Sequence, residues 1–465
     1  MGNRNNKRSS LNLEKEHIYF VGIGGIGMSA IARYYNQLGK KVAGYDRTIT
    51  DLTKRLQAEG IAVTNFDESD SIPFPYRDQE KTLVVYTPAI SKNNSILNYF
   101  KEEGFTCLKR AEVLGLISKS LKTIAVAGTH GKTTVSTMIT FLLKDAGIKV
   151  NGFLGGISRD FGTNLLLDSE AEYMVTEADE YDRSFLQLQP FYSVITSIDA
   201  DHLDIYADED DIVSTYKAFG NKTDKEGTLY AKPETFDAFG LLNEFNKKTY
   251  GINNQAWICS SNLSVQDGNL IFDLTVNGEK YEGFKCGLPG IHNVENAIAA
   301  IAIALELGVE IEQIKKSLAK FNGVKRRFDV HLKNENIVYI DDYAHHPNEI
   351  KSLVASVREL YPTKKITAIF QPHLYSRTKD FGVEFGKELS KVDDLILLDL
   401  YPAREEPIEG IDSRWLGKQV DKENVHVCNK GLLMNVLKSK EVELLLTIGA
   451  GDIDTMVEPI IAHYE

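Results

Sequence analysis

The stretch Gly128-Thr129-His130-Gly131-Lys132-Thr133-Thr134 follows an apolar run ending at Ala127 and precedes a long segment of helical character. Glycines at 128 and 131 let backbone N–H groups surround a polyphosphate, with the positive end of the next helix aimed at it. In that arrangement Lys132 neutralises β- and γ-phosphate charge, and Thr133 offers a hydroxyl to Mg²⁺. A strict phosphate-loop consensus wants glycine at 126, where Val126 stands. The expectation is phosphate binding on an incomplete form of the motif.

Two further groups could share that chemistry. Glu177, Asp179, Glu180 and Asp182 of EADEYD close an apolar run, where carboxylates suit Mg²⁺. DADHLD adds His202 in the same position relative to its own run, with Asp201 and Asp204 as rivals. Near the N-terminus, Gly22, Gly24 and Gly27 fit GxGxxG, and Asp46 follows at a distance suited to a ribose. Alone, that loop suggests NAD or FAD. The geometry, however, recognises any nucleotide with a pyrophosphate and ribose hydroxyls. An NAD-dependent oxidoreductase leaves the central segment unexplained, whereas an ATP-gated binding protein would use the phosphate loop without chemistry.

These residues need rigid mounts. An apolar strand, glycine turn, helix and second strand run from His17 to Asp46, and KTLVVYTPAI (81–90) adds a buried strand with a ligand-facing loop at Thr87. A second α/β unit begins near Thr123, and residues 229–286 alternate short strand-like runs with turns, as an antiparallel appendage would. A third unit starts near 328, with NIVYIDDYAHHP, KITAIFQPHLYSRTKD, DLILLDLYPA and VELLLTIGAGD each joining an apolar strand to a polar loop. The expected domains are 1–120, 121–325 and 326–465.

A length of 465 residues implies two or three domains. The formal charge of −13 argues against a nucleic-acid surface, and Lys325-Arg326-Arg327 suits one phosphorylated ligand. Four scattered cysteines fit a reducing compartment. No apolar run is long enough to span a membrane. Residues 1–17, polar and basic, read as a short disordered leader rather than a secretory signal.

Nine motifs in one order, VGIGGIGMS, AGTHGKTT, EADE, DHLDIY, PGIHNVENAIAA, VKRRFD, DDYAHHP, QPHLYSRT and GAGDI, closely resemble those of the Mur ligases over nearly the whole chain. The likeness is greatest to the members that join L-alanine to UDP-N-acetylmuramate. It implies an α/β fold of three domains: a Rossmann-like UDP-binding domain, a central P-loop ATPase-type parallel sheet with an antiparallel appendage, and a Rossmann-like C-terminal domain that binds the amino acid.

By the same resemblance, Gly22, Gly24, Gly25, Ile26, Gly27, Met28, Ser29, Asp46 and Thr87 would contact the UDP-sugar. Gly128 to Thr134, including Thr129 and His130, would hold ATP, with Asn293 and Asn296 on the adenine side. Thr133, Glu177 and His202 would ligate Mg²⁺. Asp342 would reach the nucleotide and Arg327 the transferring phosphoryl group, whereas Tyr343, His345 and Arg377 would hold L-alanine. Lys132, Glu177, His202 and Arg327 would carry catalysis through an acyl-phosphate. The resemblance also implies a bacterial cytoplasmic enzyme, monomeric or weakly dimeric.

The chain departs from the family pattern twice. Leu374 replaces a frequent arginine in the QPH motif, removing one cation for the amino-acid carboxylate. Tyr181 stands where alanine-adding members commonly carry serine, and points to the recycling ligase that attaches a preformed tripeptide.

Overall fold

The computed structural model describes residues 15–199, 206, 208–240, 242–253, 255–266, 269–403, 405–422 and 425–465. Residues 1–14 of the expected leader, and Asp201, His202 and Asp204, lie outside the described residues. The chain divides into two compact units, residues 1–260, 274–280 and 296–318, and residues 261–273, 281–295 and 319–465.

The first unit contains two sheets. Strands β1 (His17–Val21), β2 (Lys41–Tyr45), β3 (Ala62–Thr64), β4 (Thr82–Tyr86) and β5 (Thr106–Lys109) lie in the order β3-β2-β1-β4-β5, all parallel. All five residues of β1 are buried, as expected for a central strand covered on both faces. Helix α1 (Ile26–Gln37) leaves the carboxyl end of β1 and buries Met28, Ile31 and Tyr35 at helical spacing. That connection puts the glycine loop at the carboxyl ends of the strands, where ligands bind in such folds. Helix α2 (Arg110–Ile117) follows β5 directly.

The second sheet is built on β6 (Lys122–Ala127), β7 (Val150–Phe153), β8 (Leu165–Leu166), β9 (Tyr173–Glu177), β10 (Pro190–Ile195), β11 (Thr228–Ala231) and β12 (Asn246–Ile252), in the order β12-β11-β10-β6-β9-β7-β8. Ile124 to Ala127 of β6 are fully buried. Burying one large aliphatic side chain is worth about 1.5–3 kcal/mol, so this strand is a firm mount for the loop after it. Helix α3 (Lys132–Asp145) is buried from Thr133 to Leu143. Its polar residues are satisfied locally: Thr137 and Thr140 donate to the carbonyls of Thr133 and Ser136 at 2.7 and 2.8 Å.

Residues 228–252 differ from the expected appendage. Strands β11 and β12 extend the parallel sheet, because the helix Pro233–Phe239 supplies a crossover between them. Strand β13 (Ile258–Gln266) begins parallel to β12, with Tyr250 opposite Ile258. The hairpin signal belongs to β14 (Asn269–Val276) and β15 (Glu279–Cys286), joined by Asn277-Gly278 at φ 48° and 88°. Helix α4 (Ile291–Glu306) follows, fully buried from Ala297 to Ala304.

The second unit carries β16 (Asp329–Lys333), β17 (Val338–Asp342), β18 (Ile366–Phe370), β19 (Asp394–Leu398), β20 (Val425–Cys428) and β21 (Leu444–Ile448), ordered β16-β17-β21-β18-β19-β20. Only β16 is antiparallel to its neighbour. Helix α5 (Pro347–Leu360) leaves the β17 end and α6 (Tyr375–Asp380) the β18 end. Among the described residues, no helix is long and apolar enough to cross a membrane.

Candidate active site

The phosphate-type loop begins where β6 ends. Gly128 has φ +133° and Gly131 φ +82°. A Cβ at 128 would stand 2.0 Å from Thr196 Oγ1, and one at 131 would stand 2.5 Å from Asn296 Oδ1. Both backbone angle and space therefore demand glycine here. The next strand end fastens the loop: Thr129 N donates to Ser197 O and His130 N to Ser197 Oγ, each at 3.0 Å. The Thr129 and His130 N–H groups are thus committed to the fold, and the His130 ring lies 3.4 Å from Asp199. What the loop presents to an anion is the first turn of α3, whose leading N–H groups have no intrahelical acceptor.

Lys132 opens that turn with its ammonium held at 2.6 Å from Gly128 O and 2.9 Å from Glu180 Oε1. Burial opposes its charge, but Glu180 and Glu177 outweigh burial and raise its pKa above the ordinary lysine value. Glu180 is only 3% exposed. Desolvation pushes its carboxyl up to about 7, although Lys132 pulls the other way. Thr133 Oγ1 donates to Glu177 Oε2 at 2.9 Å. A Cβ on Gly155 would fall 1.6 Å from that same oxygen, so the absence of a side chain at 155 leaves Glu177 its place.

Among the described residues, no three His, Cys, Asp or Glu groups cluster as a complete metal site. The hydroxyl of Thr133 and the carboxylate of Glu177 nonetheless form a pair of hard oxygen donors, which fits a Mg²⁺ ion that takes its remaining ligands from water and phosphate.

The other half of this unit displays the glycine loop. Gly22, at φ +89°, sits against Thr87, and a Cβ there would come 2.7 Å from the threonine methyl. Gly24 N donates to Asp46 Oδ2 at 2.8 Å, and Asp46 Oδ1 accepts from Thr48 N at 3.0 Å. Asp46 therefore shapes the loop as well as standing beside it. Gly25 caps α1, and Ile26, next along, is exposed.

Two expected contacts turn inward. Met28 is 2% exposed and joins the core of the first sheet. Ser29 is fully buried; its hydroxyl donates to Ile26 O at 2.9 Å and accepts from Asn164 Nδ2 at 3.0 Å. Three residues past the helix start, it lies on the core-facing side of α1 and serves as an internal strut. The Met28 and Ser29 side chains are thus engaged within the fold, and the backbone of the first turn is what faces the loop.

Asn164 and Arg33 escaped the sequence reading. Asn164 Nδ2 donates to Ile26 O at 2.7 Å, and its Oδ1 accepts from Arg33 Nη1 at 2.6 Å. Arg33 forks onto both Glu59 oxygens at 2.6 and 2.7 Å. This tie links the first turn of α1 to residues 154–164, the excursion that also contains Gly155. Arg110 was also missed. It donates to Asp179 Oδ2 at 2.7 Å, and a Cβ on Gly27 would stand 2.7 Å from its Nη1. No local pattern marks these residues, because their partners lie far away in sequence.

In the second unit, Asp342 ends β17 and accepts from Phe328 N at 2.6 Å and Ala344 N at 2.8 Å. Burial pushes it up to about 6 against the opposing pull of Arg327 and those two N–H donors. The Tyr343 ring has the Arg326 and Arg327 guanidinium carbons 5.1 and 5.0 Å from its centroid. His345 Nδ1 lies 2.9 Å from Tyr343 O. A carbonyl only accepts, so Nδ1 carries the proton and Nε2 is left as an acceptor. Burial lowers the His345 pKa to about 4 despite Glu349. Glu349 accepts from the backbone N–H groups of His345 and His346 at 2.9 and 3.2 Å, and approaches Arg327 at 3.8 Å.

Arg377 is 8% exposed in α6, and the His345 and His373 rings are 6.1 Å apart. Leu374 precedes α6 at φ +72° and is 6% exposed. It packs inward in a backbone region that leucine seldom adopts. Asn293 donates to Pro289 O at 2.6 Å, bridging backbone in this unit.

Three sequence models of one family tile the chain: the Mur ligase family catalytic domain at residues 17–121, the Mur ligase middle domain at 126–304, and the Mur ligase glutamate ligase domain at 326–451. The UDP-N-acetylmuramate–L-alanine ligase of Christiangramia forsetii is 45% identical over 446 residues, covering 96% of this chain and 97% of that one. The enzyme of the same name from Parabacteroides distasonis is 45% identical over 443 residues, 95% and 96% of the two chains. The crystal structure of the UDP-N-acetylmuramate-alanine ligase from Thermotoga maritima superposes with TM-score 0.83 at 28% identity, covering 96% of this chain and 99% of that one. A murein peptide ligase from Psychrobacter arcticus shares the fold, with TM-score 0.72 at 21% identity over 96% and 98% of the chains.

Proposed function

Because the chain belongs to the Mur ligase family, we propose that it joins L-alanine to the carboxylate of UDP-N-acetylmuramate at the expense of ATP, releasing ADP and phosphate. The observation that carries this reading is the corner at the end of β6, where Lys132, Thr133 and Glu177 surround the first turn of α3. The choice of L-alanine rests on the whole-chain likeness to the alanine ligases.

The reaction needs two anions, a carboxylate and a triphosphate, brought together and then kept from water. A muramoyl carboxylate oxygen attacks the γ-phosphorus, the bond to the β-phosphate oxygen breaks, and an acyl-phosphate forms with ADP as leaving group. The amine of L-alanine attacks the activated carbonyl, giving a tetrahedral intermediate that expels phosphate. Such transfers are accelerated mainly by positioning and charge neutralisation, without a protein nucleophile.

Lys132 supplies positive charge to the β- and γ-phosphates, exchanging its contact with Gly128 O for theirs. The backbone N–H groups at the start of α3 donate to phosphate oxygens. Thr133 and Glu177 would hold Mg²⁺, with His202 as a further ligand. That ion, when bound, lowers the repulsion between triphosphate and carboxylate. Asn293 and Asn296 serve the adenine side, Asp342 the nucleotide, and Arg327 the transferring phosphoryl group. Tyr343, His345 and Arg377 orient L-alanine; the unprotonated Nε2 of His345 accepts a hydrogen bond from its amine. The glycine loop with Asp46 and Thr87 receives the UDP end. ATP, UDP-sugar and amino acid make this an enzyme of the bacterial cytoplasm.

The test is an acceptor panel. Purified protein with Mg²⁺, ATP and UDP-N-acetylmuramate should release phosphate with L-alanine and far less with the L-alanyl-γ-D-glutamyl-diaminopimelate tripeptide. Turnover with the tripeptide alone would replace this reading by that of the recycling ligase, to which Tyr181 points.

A further inference from the structure

We infer that Arg110 is the cation that receives the diphosphate of the UDP-sugar at the first glycine loop. The inference rests on the reading of that loop as the UDP site and adds the charge the loop lacks. Residues 22–29, GIGGIGMS, contain no lysine or arginine. The N-terminus of α1 contributes only about half a positive charge, whereas a nucleoside diphosphate sugar brings about two negative ones at neutral pH. A cation must come from elsewhere in the fold.

Arg110 meets three requirements. First, it lies against the first turn of α1: a Cβ on Gly27 would stand 2.7 Å from its Nη1 and 3.4 Å from its Cδ. Glycine at 27 thus lets the guanidinium approach the helix backbone at the end where N–H groups await an acceptor. Second, the guanidinium has donors to spare. Its Nη2 donates to Asp179 Oδ2, and among the described residues no other hydrogen bond or ion pair occupies it. A planar fork with several open N–H groups matches adjacent phosphate oxygens. Third, it is oriented in advance. Asp179 is itself fixed, accepting from Tyr181 N at 3.1 Å through Oδ1, and the Arg110 side chain is 23% exposed, so it keeps access to solvent and ligand. The neighbouring Lys109 is committed to Asp182 at 2.7 Å. Arg47, next to Asp46, is exposed and serves as the rival to exclude.

Titration calorimetry of the full chain with uridine, UMP, UDP and UDP-N-acetylmuramate tests this. Arg110→Gln should weaken UDP and the UDP-sugar by roughly 10- to 100-fold, the usual scale for a charge-assisted contact. Uridine should change less than about twofold, and Arg110→Lys should recover part of the loss. Arg47→Gln should change UDP affinity by less than about threefold. Asp179→Asn, which leaves the guanidinium in place but loosens it, should show an intermediate loss, and thermal melts confirm that each variant folds. An Arg110→Gln protein that keeps the wild-type preference for UDP over uridine overturns the inference. In that event a loss of UDP binding in Asp46→Ala would leave the UDP site itself standing, whereas unchanged binding in both variants would remove the site as well.

Discussion

The ammonium of Lys132 lies 2.9 Å from Oε1 of Glu180, a carboxylate that is 3% exposed and pushed up to about 7 by burial. The phosphate-loop lysine is therefore half of a buried ion pair before any nucleotide arrives, rather than a side chain waiting in solvent. Removing it affects both chemistry and folding, and the two effects separate with pH. Lys132→Ala should lower turnover by about 10²- to 10⁴-fold, the scale of losing a preorganised charge at a transition state. Its melting temperature should stay near wild type at pH 6, where the unpaired Glu180 protonates, and fall below it at pH 8.5. Parallel thermal melts and ADP-release assays check both.

Glu180 itself predicts a slope. Its folded pKa, about 7, exceeds the ordinary value of 4.5. The stability it confers is therefore present in full below about pH 4.5 and is lost as pH rises through about 7. Glu180→Gln removes that dependence. Its melting temperature relative to wild type should rise between pH 5 and pH 8, by on the order of 5 °C. A constant offset across that range would show that Glu180 titrates normally.

Gly155→Ala is the most local test of the metal corner. The added methyl would fall 1.6 Å from Glu177 Oε2, and Gly155 has no positive φ to complicate the change. Displacing Glu177 from Thr133 should raise the Mg²⁺ concentration needed for half-maximal ADP formation by roughly 10- to 100-fold. UDP-sugar affinity should be unchanged. Glu177→Gln should behave alike, and a Mg²⁺ titration of each variant decides it.

Which parts of this site were legible in the sequence follows from how far apart the interacting residues lie. The two glycine loops could be read because strand, turn and helix are contiguous, so Gly22 to Gly27 and Gly128 to Thr133 announce themselves within one short segment. The burial of the Ser29 side chain was not legible, because membership in a motif does not reveal which helix face enters the core. Asn164, Arg110 and Gly155 act on residues far along the chain, and nothing in their local sequence marks the partner. The same blindness affected 228–252, where turn residues suggested hairpins but an intervening helix made the pairing parallel. Leu374 was read as a missing cation, and the structure adds an inward-packed leucine at φ +72°.

His345 yields a prediction about what should not titrate. Burial lowers its pKa to about 4, so the ring remains neutral throughout the assay range. His345→Gln should raise KM for L-alanine, by about tenfold for a lost hydrogen bond. It should leave the pH profile between 5.5 and 8.5 unchanged. Loss of an acidic limb near pH 6 in this variant would show that the imidazole titrates.

Asp46→Ala separates the two nucleotide sites. Asp46 holds Gly24 N at 2.8 Å and Thr48 N at 3.0 Å, so its loss should loosen the first glycine loop alone. UDP-sugar binding should weaken by about tenfold or more with little change in ATP affinity, as direct binding measurements would report. The reverse pattern would exchange the assignments of the two loops.

The transfer of the ATP γ-phosphoryl group to the sugar carboxylate can be followed atom by atom. UDP-N-acetylmuramate labelled with ¹⁸O in both carboxylate oxygens is turned over with ATP, Mg²⁺ and L-alanine, and the released phosphate is analysed by mass spectrometry. An acyl-phosphate route leaves one labelled oxygen in each phosphate, because the oxygen that attacked phosphorus departs with it. Phosphate without label would mean that the carboxylate never attacked phosphorus, and the ligase mechanism would be wrong.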